Sequence, residues 1–299
     1  MHKIKKVLVV YKKSFIEVYK QRGGLSRIRD VGLLEAMRRS DAENRLTKGI
    51  VLDIIKSFGL ECDVFLRGRH DKYGQYDLVV AVGGDGTLFA ASHYIKDTPV
   101  IGVNSDTKNS LALFSCADRR NFAERFREIL GGMIKPVLLN RLALRINGRK
   151  IRELVMNDVL FTNKTPSAMS RYIMKVTSNG KLRAEEQKSS GVWISTAAGS
   201  TASILSAGGE VMPIESQGIQ YLVREPYNWN LSPYKLLKGF TAGIEITSIM
   251  DNAGIYIDGS RLCYDIRFGD KIEMRCSSCP LCLYGYSSAK RRFFIDKAR

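Results

Sequence analysis

The run DLVVAVGGDGTLFAASHYI, from Asp77 to Ile95, restricts the fold of this chain more than any other feature of the sequence. An apolar segment leads into Gly83-Gly84-Asp85-Gly86-Thr87, and mostly small and apolar residues follow. Three closely spaced glycines allow the backbone to turn sharply and to approach a ligand closely. We therefore predict a buried strand, a tight turn and a helix that starts near Thr87 and points its free N–H groups at the turn.

A turn of this kind is typical of a phosphate site, yet it contains a carboxylate, Asp85, which would repel a phosphate. The carboxylate has a use if it takes a proton from an attacking hydroxyl or reaches a magnesium ion. The alternative is a purely structural turn in which Asp85 caps the helix. The turn has neither the Gly-Lys-Ser/Thr ending of a P-loop nor a Gly-x-Gly-x-x-Gly pattern, so it predicts neither a P-loop enzyme nor an ordinary dehydrogenase.

Apolar segments and helical patterns alternate through the first half of the chain, which predicts an α/β domain with a Rossmann-like parallel sheet. Residues 14–42 are basic and lack a sustained period, so we predict a mobile segment there with room for one short helix. The predicted strands are 7–10, 77–82 and 99–103, and the predicted helices are 46–58 and 122–130.

The sequence pattern changes after Pro136. The segment from Leu142 to Ile146 alternates apolar and polar residues and ends at Asn147-Gly148, which is a hairpin signal. Further segments of this kind follow, so we predict a C-terminal all-β sandwich. The predicted domains are residues 1–137 for the α/β domain and 138–275 for the β-rich domain.

A second group of polar and small residues lies in the run SSGVWISTAAGSTASILSAGG, from Ser189 to Gly209. Small residues let a flat ligand lie on the backbone, and hydroxyls and amides bond ribose and phosphate. The alternative is a polar surface loop, which the alanines beside a Trp-bearing strand disfavour. Asn157-Asp158 is able to bond the cis-diol of a ribose, or it is a simple turn or bulge.

The formal net charge of +17 predicts an anionic partner, either nucleic acid or small substrates such as ATP and dinucleotides. Lys and Arg are scattered rather than bunched, which disfavours nucleic acid as the main partner. No run of about 18 apolar residues occurs, and the apolar run 7–10 is too short for a signal peptide. We expect no membrane contact and a cytoplasmic location.

The six cysteines are too sparse for a disulfide framework, so we expect reduced thiols. Cys276, Cys279 and Cys282 are spaced three apart, as in part of an iron–sulfur run. Tyr286 occupies the expected fourth position and is not a ligand, so we predict no metal site held by the protein.

The glycine turn, the Asn-Asp pair and the run STAAGSTA occur in this order, and together they resemble the NAD kinase family. The similarity extends to plant-type NADH kinases and mitochondrial NAD kinases and covers about residues 75–275. It rests on PVIGVNSD (99–106), MNDVLFTNKTPSAMSRY (156–172), QYLVREP (220–226) and IYIDGS (255–260) as well. Lipid kinases share the glycine turn.

The resemblance implies that residues 276–299 return to the first domain and that the chain forms a homodimer or higher homo-oligomer. It implies that Asp85 is the general base toward the adenosine 2′-hydroxyl of NAD+ or NADH, with ATP and Mg2+ as phosphoryl donor and cofactor. The nucleotide-binding residues that it implies are Gly83, Gly84, Gly86, Thr87, Asn104, Asn157, Asp158, Thr196, Gly199, Ser200, Thr201 and Ala202.

Three departures from the bacterial pattern leave the choice between NAD+ and NADH open, and the first is Ser105-Asp106 after Gly-Val-Asn, where Leu-Gly is usual. Ser190 stands where an Asp is usual, and Ser203 stands where a Tyr stacks on a base. ATP and polyphosphate also stay open as donors. The alternative functions are a lipid kinase and a non-catalytic nucleotide sensor. The run 195–202 favours a dinucleotide over a lipid, and Asp85 together with Asn157-Asp158 favours catalysis over sensing.

Overall fold

A computed structural model describes residues 4–68, 73–178, 180–227 and 233–298. The chain divides into two compact units. The first comprises residues 1–138 and 281–299, and the second comprises residues 139–280. The domain boundaries read from the sequence, after residues 137 and 275, stay predictions.

The first unit contains a sheet of mostly parallel strands. Its strands are β1 (Lys6–Tyr11), β2 (Glu61–Leu66), β3 (Leu78–Gly83), β4 (Val100–Asn104), β5 (Ala117–Asp118), β6 (Pro136–Leu139) and the last strand of the chain, β19 (Leu281–Tyr284). They lie in the order β2-β1-β3-β4-β19-β6, with β5 beside β4. The pairs β1–β2, β1–β3, β3–β4, β4–β19 and β4–β5 are all parallel. Strands β3 and β4 are buried along their whole length, and their residues are apolar or glycine except for Asn104 at the end of β4.

The helices of the first unit are α1 (Phe15–Gln21), α2 (Val31–Ser57), α3 (Asp85–Ser92), α4 (Phe122–Leu130) and α6 (Ser288–Ala298). Helices α2 and α4 confirm the two helices predicted from the sequence, and their apolar side chains pack in the core of this unit. Phe126 contacts Phe122 and Phe58, with ring centroids 5.1 and 5.5 Å apart. The glycines expected to stop these helices do follow them, and Gly59 has φ 70°.

The prediction of a mobile segment at residues 14–42 is wrong, because α1 and the first part of α2 occupy it. Ser14 and Glu17 form a capping box at the start of α1, and the Asp30 side chain accepts the N–H of Leu33 at the start of α2. The buried residues of α2 all lie from Asn44 onward. The earlier turns therefore need no apolar period, and the sequence shows none.

The second unit contains two six-stranded sheets in which neighbouring strands pair antiparallel. One sheet comprises β7 (Leu142–Ile146), β8 (Arg149–Lys150), β10 (Ser170–Ser178), β11 (Lys181–Ser189), β15 (Gly243–Ser248) and β18 (Lys271–Cys276). The other comprises β9 (Asp158–Asn163), β12 (Gly191–Ser195), β13 (Ile219–Arg224), β14 (Lys238–Thr241), β16 (Ala253–Ile257) and β17 (Leu262–Ile266), and the short helix α5 (Ser203–Ser206) follows β12.

Side chains from both sheets, including Phe161, Tyr172 and Ile255, form one core in the second unit. The predicted hairpin at Asn147-Gly148 is confirmed, since both residues have positive φ and β7 pairs with β8. The predicted fold class, an α/β domain with a parallel sheet plus a C-terminal all-β sandwich, is confirmed as well. No helix within the described ranges is long and apolar enough to cross a membrane.

Candidate functional site

The glycine turn forms a tight connection between β3 and α3. Gly84 is the N-cap of α3, so the helix begins at Asp85 and not near Thr87. A Cβ atom at Gly83 would lie 2.2 Å from Oγ1 of Thr87, which explains why this position needs glycine. The interpretation of Asp85 as the helix cap is wrong, because Gly84 has that place and the carboxylate bonds another loop.

The Asp85 carboxylate is held in one orientation by backbone N–H groups. Leu113 N–H donates to Oδ2 at 2.7 Å, and Phe114 N–H donates to Oδ1 at 3.0 Å. Burial raises the pKa of Asp85, while the two N–H bonds and the positive charge of Lys290 lower it, and the net shift is upward. A raised pKa makes the carboxylate a stronger base than an exposed aspartate.

Lys290, in α6, is the cation next to this carboxylate. Its ammonium donates to the carbonyl oxygens of Ala112 and Ser115. Residues 112–115 therefore form a turn whose N–H groups bond Asp85 and whose carbonyls bond Lys290. Burial lowers the pKa of Lys290, and the charge of Asp85 opposes that shift. Lys290 could not be singled out from the sequence, because nothing there separates it from the other basic residues of the C-terminal stretch.

Asn104 ends β4 and orders the loop that follows. Its Oδ1 accepts the N–H of Asp106 at 3.0 Å, and its amide donates to the carbonyl of Ser110 at 2.8 Å. The loop lies next to the glycine turn, since a Cβ atom at Gly84 would be 2.7 Å from Oγ of Ser110. Both polar groups of Asn104 are used within the loop, so a direct contact with a dinucleotide stays a prediction.

In the second unit, Asp258 holds the backbone of the Asn157-Asp158 pair in place. The Asp258 carboxylate accepts the N–H groups of Met156, Asn157 and Asp158 at 2.9, 2.6 and 3.1 Å. Asp258 itself has φ 48°, in the turn after β16. The sequence includes this residue only as part of the family-like segment IYIDGS, which gives no sign of its role at the Asn-Asp pair.

The loop after β12 packs directly on the same pair. A Cβ atom at Gly199 would lie 2.0 Å from the carbonyl oxygen of Asn157, so only glycine fits there. Thr196 donates its hydroxyl to the carbonyl of Met156 at 2.6 Å, and its N–H bonds the carbonyl of Asn157. The structure thus brings together the two segments that the sequence singled out separately.

The hydroxyls of this loop are occupied by internal bonds. Besides the Thr196 bond, Ser200 donates to the carbonyl of Ala197 at 2.8 Å and Thr201 donates to the carbonyl of Ala198 at 3.4 Å. Ser200 also accepts the N–H of Met212. We expected these hydroxyls to be ligand groups, and the structure shows that they hold the loop in its conformation. Ala202 follows the loop and precedes α5.

Asp158 is buried, with 4% of its surface exposed, although we expected an available carboxylate. Burial and the negative charge of Asp258 raise the pKa of Asp158 to about 7. Asp158 is therefore partly protonated near neutral pH.

Two buried oxygens of predicted site residues have no hydrogen-bond partner among the described parts of the chain. They are Oγ1 of Thr87, which is 1% exposed, and Oδ1 of Asn157. Buried polar atoms without partners are rare in folded proteins, and binding sites are one place where they occur. One of these oxygens lies at each of the two candidate groups, the first in the glycine turn and the second in the Asn-Asp pair.

Cys276, Cys279 and Cys282 are not arranged to bind a metal ion. Cys276 Sγ donates to the carbonyl of Gln217, and Arg141 donates to the carbonyl of Cys279 at 2.7 Å. In the portions of the chain that the structure describes, no group of three or more His, Cys, Asp or Glu side chains is placed to hold a metal ion.

The fold and these residues define a nucleotide-binding protein of the kinase type, in which a carboxylate lies inside a glycine turn at the start of a helix. A family model described as "ATP-NAD kinase N-terminal domain" matches residues 37–133. A "Probable NADH kinase" of Oryza sativa subsp. japonica is 35% identical over 226 residues, which are 69% of this chain and 69% of the relative. The chain belongs to the NAD kinase family.

Two solved structures are similar to this one in fold. Yeast NADH kinase, complexed with NADH, matches with a TM-score of 0.72 and 16% identity over 99% of this chain and 88% of its own. An NAD kinase from Archaeoglobus fulgidus, in complex with ATP, matches with a TM-score of 0.67 and 19% identity over 97% of each chain. The prediction that the chain belongs to the NAD kinase family and is similar to plant NADH kinases is confirmed.

Proposed function

We propose that this protein transfers the terminal phosphoryl group of ATP to the adenosine 2′-hydroxyl of NAD+ or NADH, giving NADP+ or NADPH. The observation that carries the proposal is the Asp85 carboxylate, which two backbone N–H groups orient inside a glycine turn. An anion in a phosphate-binding turn has a use if it acts on the acceptor or reaches a magnesium ion, and we favour the first because both Asp85 oxygens already accept N–H bonds. The rice relative carries the name "Probable NADH kinase", which supports the same reaction.

In this proposal Asp85 orients the 2′-hydroxyl and accepts its proton as the oxygen attacks the phosphorus. The bond from phosphorus to the bridging oxygen of ATP breaks, and ADP leaves with that oxygen. The free N–H groups at the start of α3, beside Gly84 and Gly86, are suited to hold the transferring phosphoryl group. The raised pKa of Asp85 supports a role as base.

Mg2+ fits the site as an ion that binds together with ATP, and not as an ion held by protein side chains alone. In the described segments, no group of three or more metal-binding side chains is present, and both Asp85 oxygens accept N–H bonds. Mg2+ in phosphoryl transfer is held mostly by phosphate oxygens and water with one or two carboxylates, so this donor set is sufficient. When bound, the ion neutralises charge on the phosphates.

The second-unit residues are proposed to bind the acceptor. Asn157 offers Oδ1, a buried acceptor without a partner within the described chain, to a ribose hydroxyl. Asp158 is the second residue of the Asn157-Asp158 pair, and Gly199 packs against the pair. The Thr196–Ala202 loop presents small residues and backbone groups beside it. The proposed roles of Ser200 and Thr201 are structural, since their hydroxyls already donate to backbone carbonyls.

The two alternative functions gain no support. The family match and the relatives that we describe are named NAD kinase or NADH kinase, and none of these names is that of a lipid kinase. The oriented Asp85 has no purpose in a non-catalytic sensor. We also propose a cytoplasmic location, to which six free thiols are suited, and a homodimer or higher homo-oligomer, which light scattering of the purified protein tests.

The decisive experiment measures NADP+ and NADPH formed from NAD+ and NADH with Mg2+ and either ATP or polyphosphate. We expect product with ATP from at least one acceptor. Asp85→Asn should lower kcat by about 10²–10⁴, the usual effect of losing a general base. Asp53→Asn, an exposed carboxyl on α2, is the matched control and should leave kcat unchanged. Full turnover in Asp85→Asn would remove Asp85 from the mechanism.

A further inference from the structure

Helix α2 contacts the loop after β4 through polar side chains that none of the roles proposed above uses. Ser40 donates its hydroxyl to Oδ2 of Asp106 at 2.5 Å, and Ser105 donates its hydroxyl to Oδ1 of Asn44. Asn44 also donates its amide to the carbonyl of Ser40 at 2.5 Å, one turn earlier in the helix. We call Ser40, Asn44, Ser105 and Asp106 the α2 network.

The centre of this network is the carboxylate of Asp106, which is buried. A buried carboxylate is costly unless hydrogen bonds satisfy it. Asp106 meets this condition, because Asn109 donates its backbone N–H and its side-chain amide to the carboxylate that Ser40 also bonds. Burial raises the pKa of Asp106, but these hydrogen bonds and the charge of Lys12 outweigh it, and the net shift is downward. The network therefore surrounds an ionised carboxylate.

The α2 network lies next to the glycine turn. Ser105 bonds α2 with its hydroxyl, and it donates its backbone N–H to the carbonyl of Gly83 at 3.2 Å. Asp106 donates its N–H to Oδ1 of Asn104, and the Asn104 amide donates to the carbonyl of Ser110. A displacement of Ser105 and Asp106 away from α2 would therefore shift both the glycine turn and the loop beside it.

The same stretch of chain also orients the proposed base. Residues 104–114 begin at the α2 network and end at the N–H groups of Leu113 and Phe114, which bond Asp85. Lys290 holds the far end of the stretch through two backbone carbonyls, and the network holds its start. Because both ends are held, a loss at the start should increase the motion of the groups that bond Asp85.

We propose that Asp106, held by Ser40, is a positioning residue for phosphoryl transfer. It acts through residues 104–114 on the glycine turn and on the N–H groups that orient Asp85. The proposal rests on the proposed function for the reaction that the turn performs. The connection from Ser40 to the groups that bond Asp85 can be tested without turnover.

The first test measures kcat, and KM for ATP and for the acceptor, in variants of the network. Ser40→Ala should lower kcat by about 10- to 100-fold, because a misplacement of about 1 Å has effects of this size. Both KM values should change by less than about threefold, as expected when positioning alone is lost. Ser40→Thr retains the hydroxyl and should restore kcat.

Asp106→Ala should lower kcat at least as much as Ser40→Ala does. The double variant should be no slower than Asp106→Ala alone, because the two residues act through one hydrogen bond. Thermal melts check that each variant folds, and Asp106→Asn replaces Asp106→Ala if the latter does not. The matched control is Ser57→Ala, an exposed serine at the other end of α2 whose hydroxyl bonds the carbonyl of Ile54. It should leave kcat unchanged.

The second test measures hydrogen exchange of backbone N–H groups by NMR. Ser40→Ala should speed exchange at Leu113 and Phe114 by about tenfold, because their stretch of chain opens more often. Ser40→Thr should restore the slow exchange. The N–H of Ile194, in β12 of the second unit, should exchange at the same rate in all of these proteins.

Unchanged exchange at Leu113 and Phe114 in Ser40→Ala would overturn the proposal, and so would a failure of Ser40→Thr to restore kcat. The two proposals fail separately. A protein that forms NADP(H) with the same kcat in Ser40→Ala refutes the positioning role alone. A protein that forms no NADP(H), but in which Ser40→Ala speeds this exchange, refutes the kinase and leaves the connection from Ser40 to Asp85 standing.

Discussion

Asp158 should make the protein less stable as the pH rises from 5 to 8. Burial and Asp258 raise the pKa of Asp158 to about 7 from an ordinary value of 3.8, and the side chain is only 4% exposed. Folded protein therefore holds a proton that unfolded protein has lost, so the free energy of unfolding falls with rising pH. The contribution is fully present below the unfolded pKa and is lost as the pH passes the folded value.

The size of the effect follows from the two pKa values. A difference of about three pKa units corresponds to about 4 kcal/mol at high pH, and about 2–3 kcal/mol of it develops between pH 5 and pH 8. Asp158→Asn cannot ionise, so its stability relative to the original protein should improve by that amount over this range.

Urea denaturation at pH 5, 6, 7 and 8 measures this difference for the two proteins. All other titrating groups are shared, so the comparison isolates the Asp158 carboxyl together with its interaction with Asp258. Asp265→Asn, a surface carboxyl on β17, is the control and should follow the original protein. Parallel curves for the original protein and Asp158→Asn would refute the reasoning, because they would show that the buried carboxyl stays ionised.

Two further variants test the geometry. In thermal melts, Gly199→Ala should destabilise the second unit by about 1–3 kcal/mol, because the added Cβ meets the Asn157 backbone. The same variant should reduce NADP(H) formation. The control is Gly49→Ala, in an open position on α2, which should be neutral or slightly stabilising in the same melts. Lys290→Met should move the acid limb of the kcat–pH profile at saturating ATP to higher pH, because the lysine charge lowers the pKa of Asp85, and Lys290→Arg should restore it. An unshifted profile in Lys290→Met would show that this charge does not act on the base.

Regular elements that bury an apolar face were predictable from the sequence. Strand β3, helix α4 and the hairpin at Asn147-Gly148 have periodic apolar residues or a characteristic turn pair, and each is found as expected. The first part of α2 is different because it is exposed and needs no apolar period. Its start depends on a single cap, Asp30, which is a weak signal in a basic stretch.

The candidate site was predictable where its residues are close in sequence. Glycine turns and runs of small residues have local patterns, so Gly83–Thr87 and the Thr196–Ala202 loop could be found. Lys290 and Asp258 could not, because each acts on a residue far away in the chain. Lys290 lies more than two hundred positions after Asp85, and the function of its charge appears only when α6 is placed beside the turn at residues 112–115.

The choice between NAD+ and NADH is not made at the residues assigned to the adenosine end, because the two acceptors are identical there. They differ at the nicotinamide ring, which is positively charged in NAD+ and neutral in NADH. Residues that contact that ring must discriminate, and charge is the physical means available to them. A nearby Lys or Arg would disfavour the oxidised ring, since like charges repel, and would select NADH.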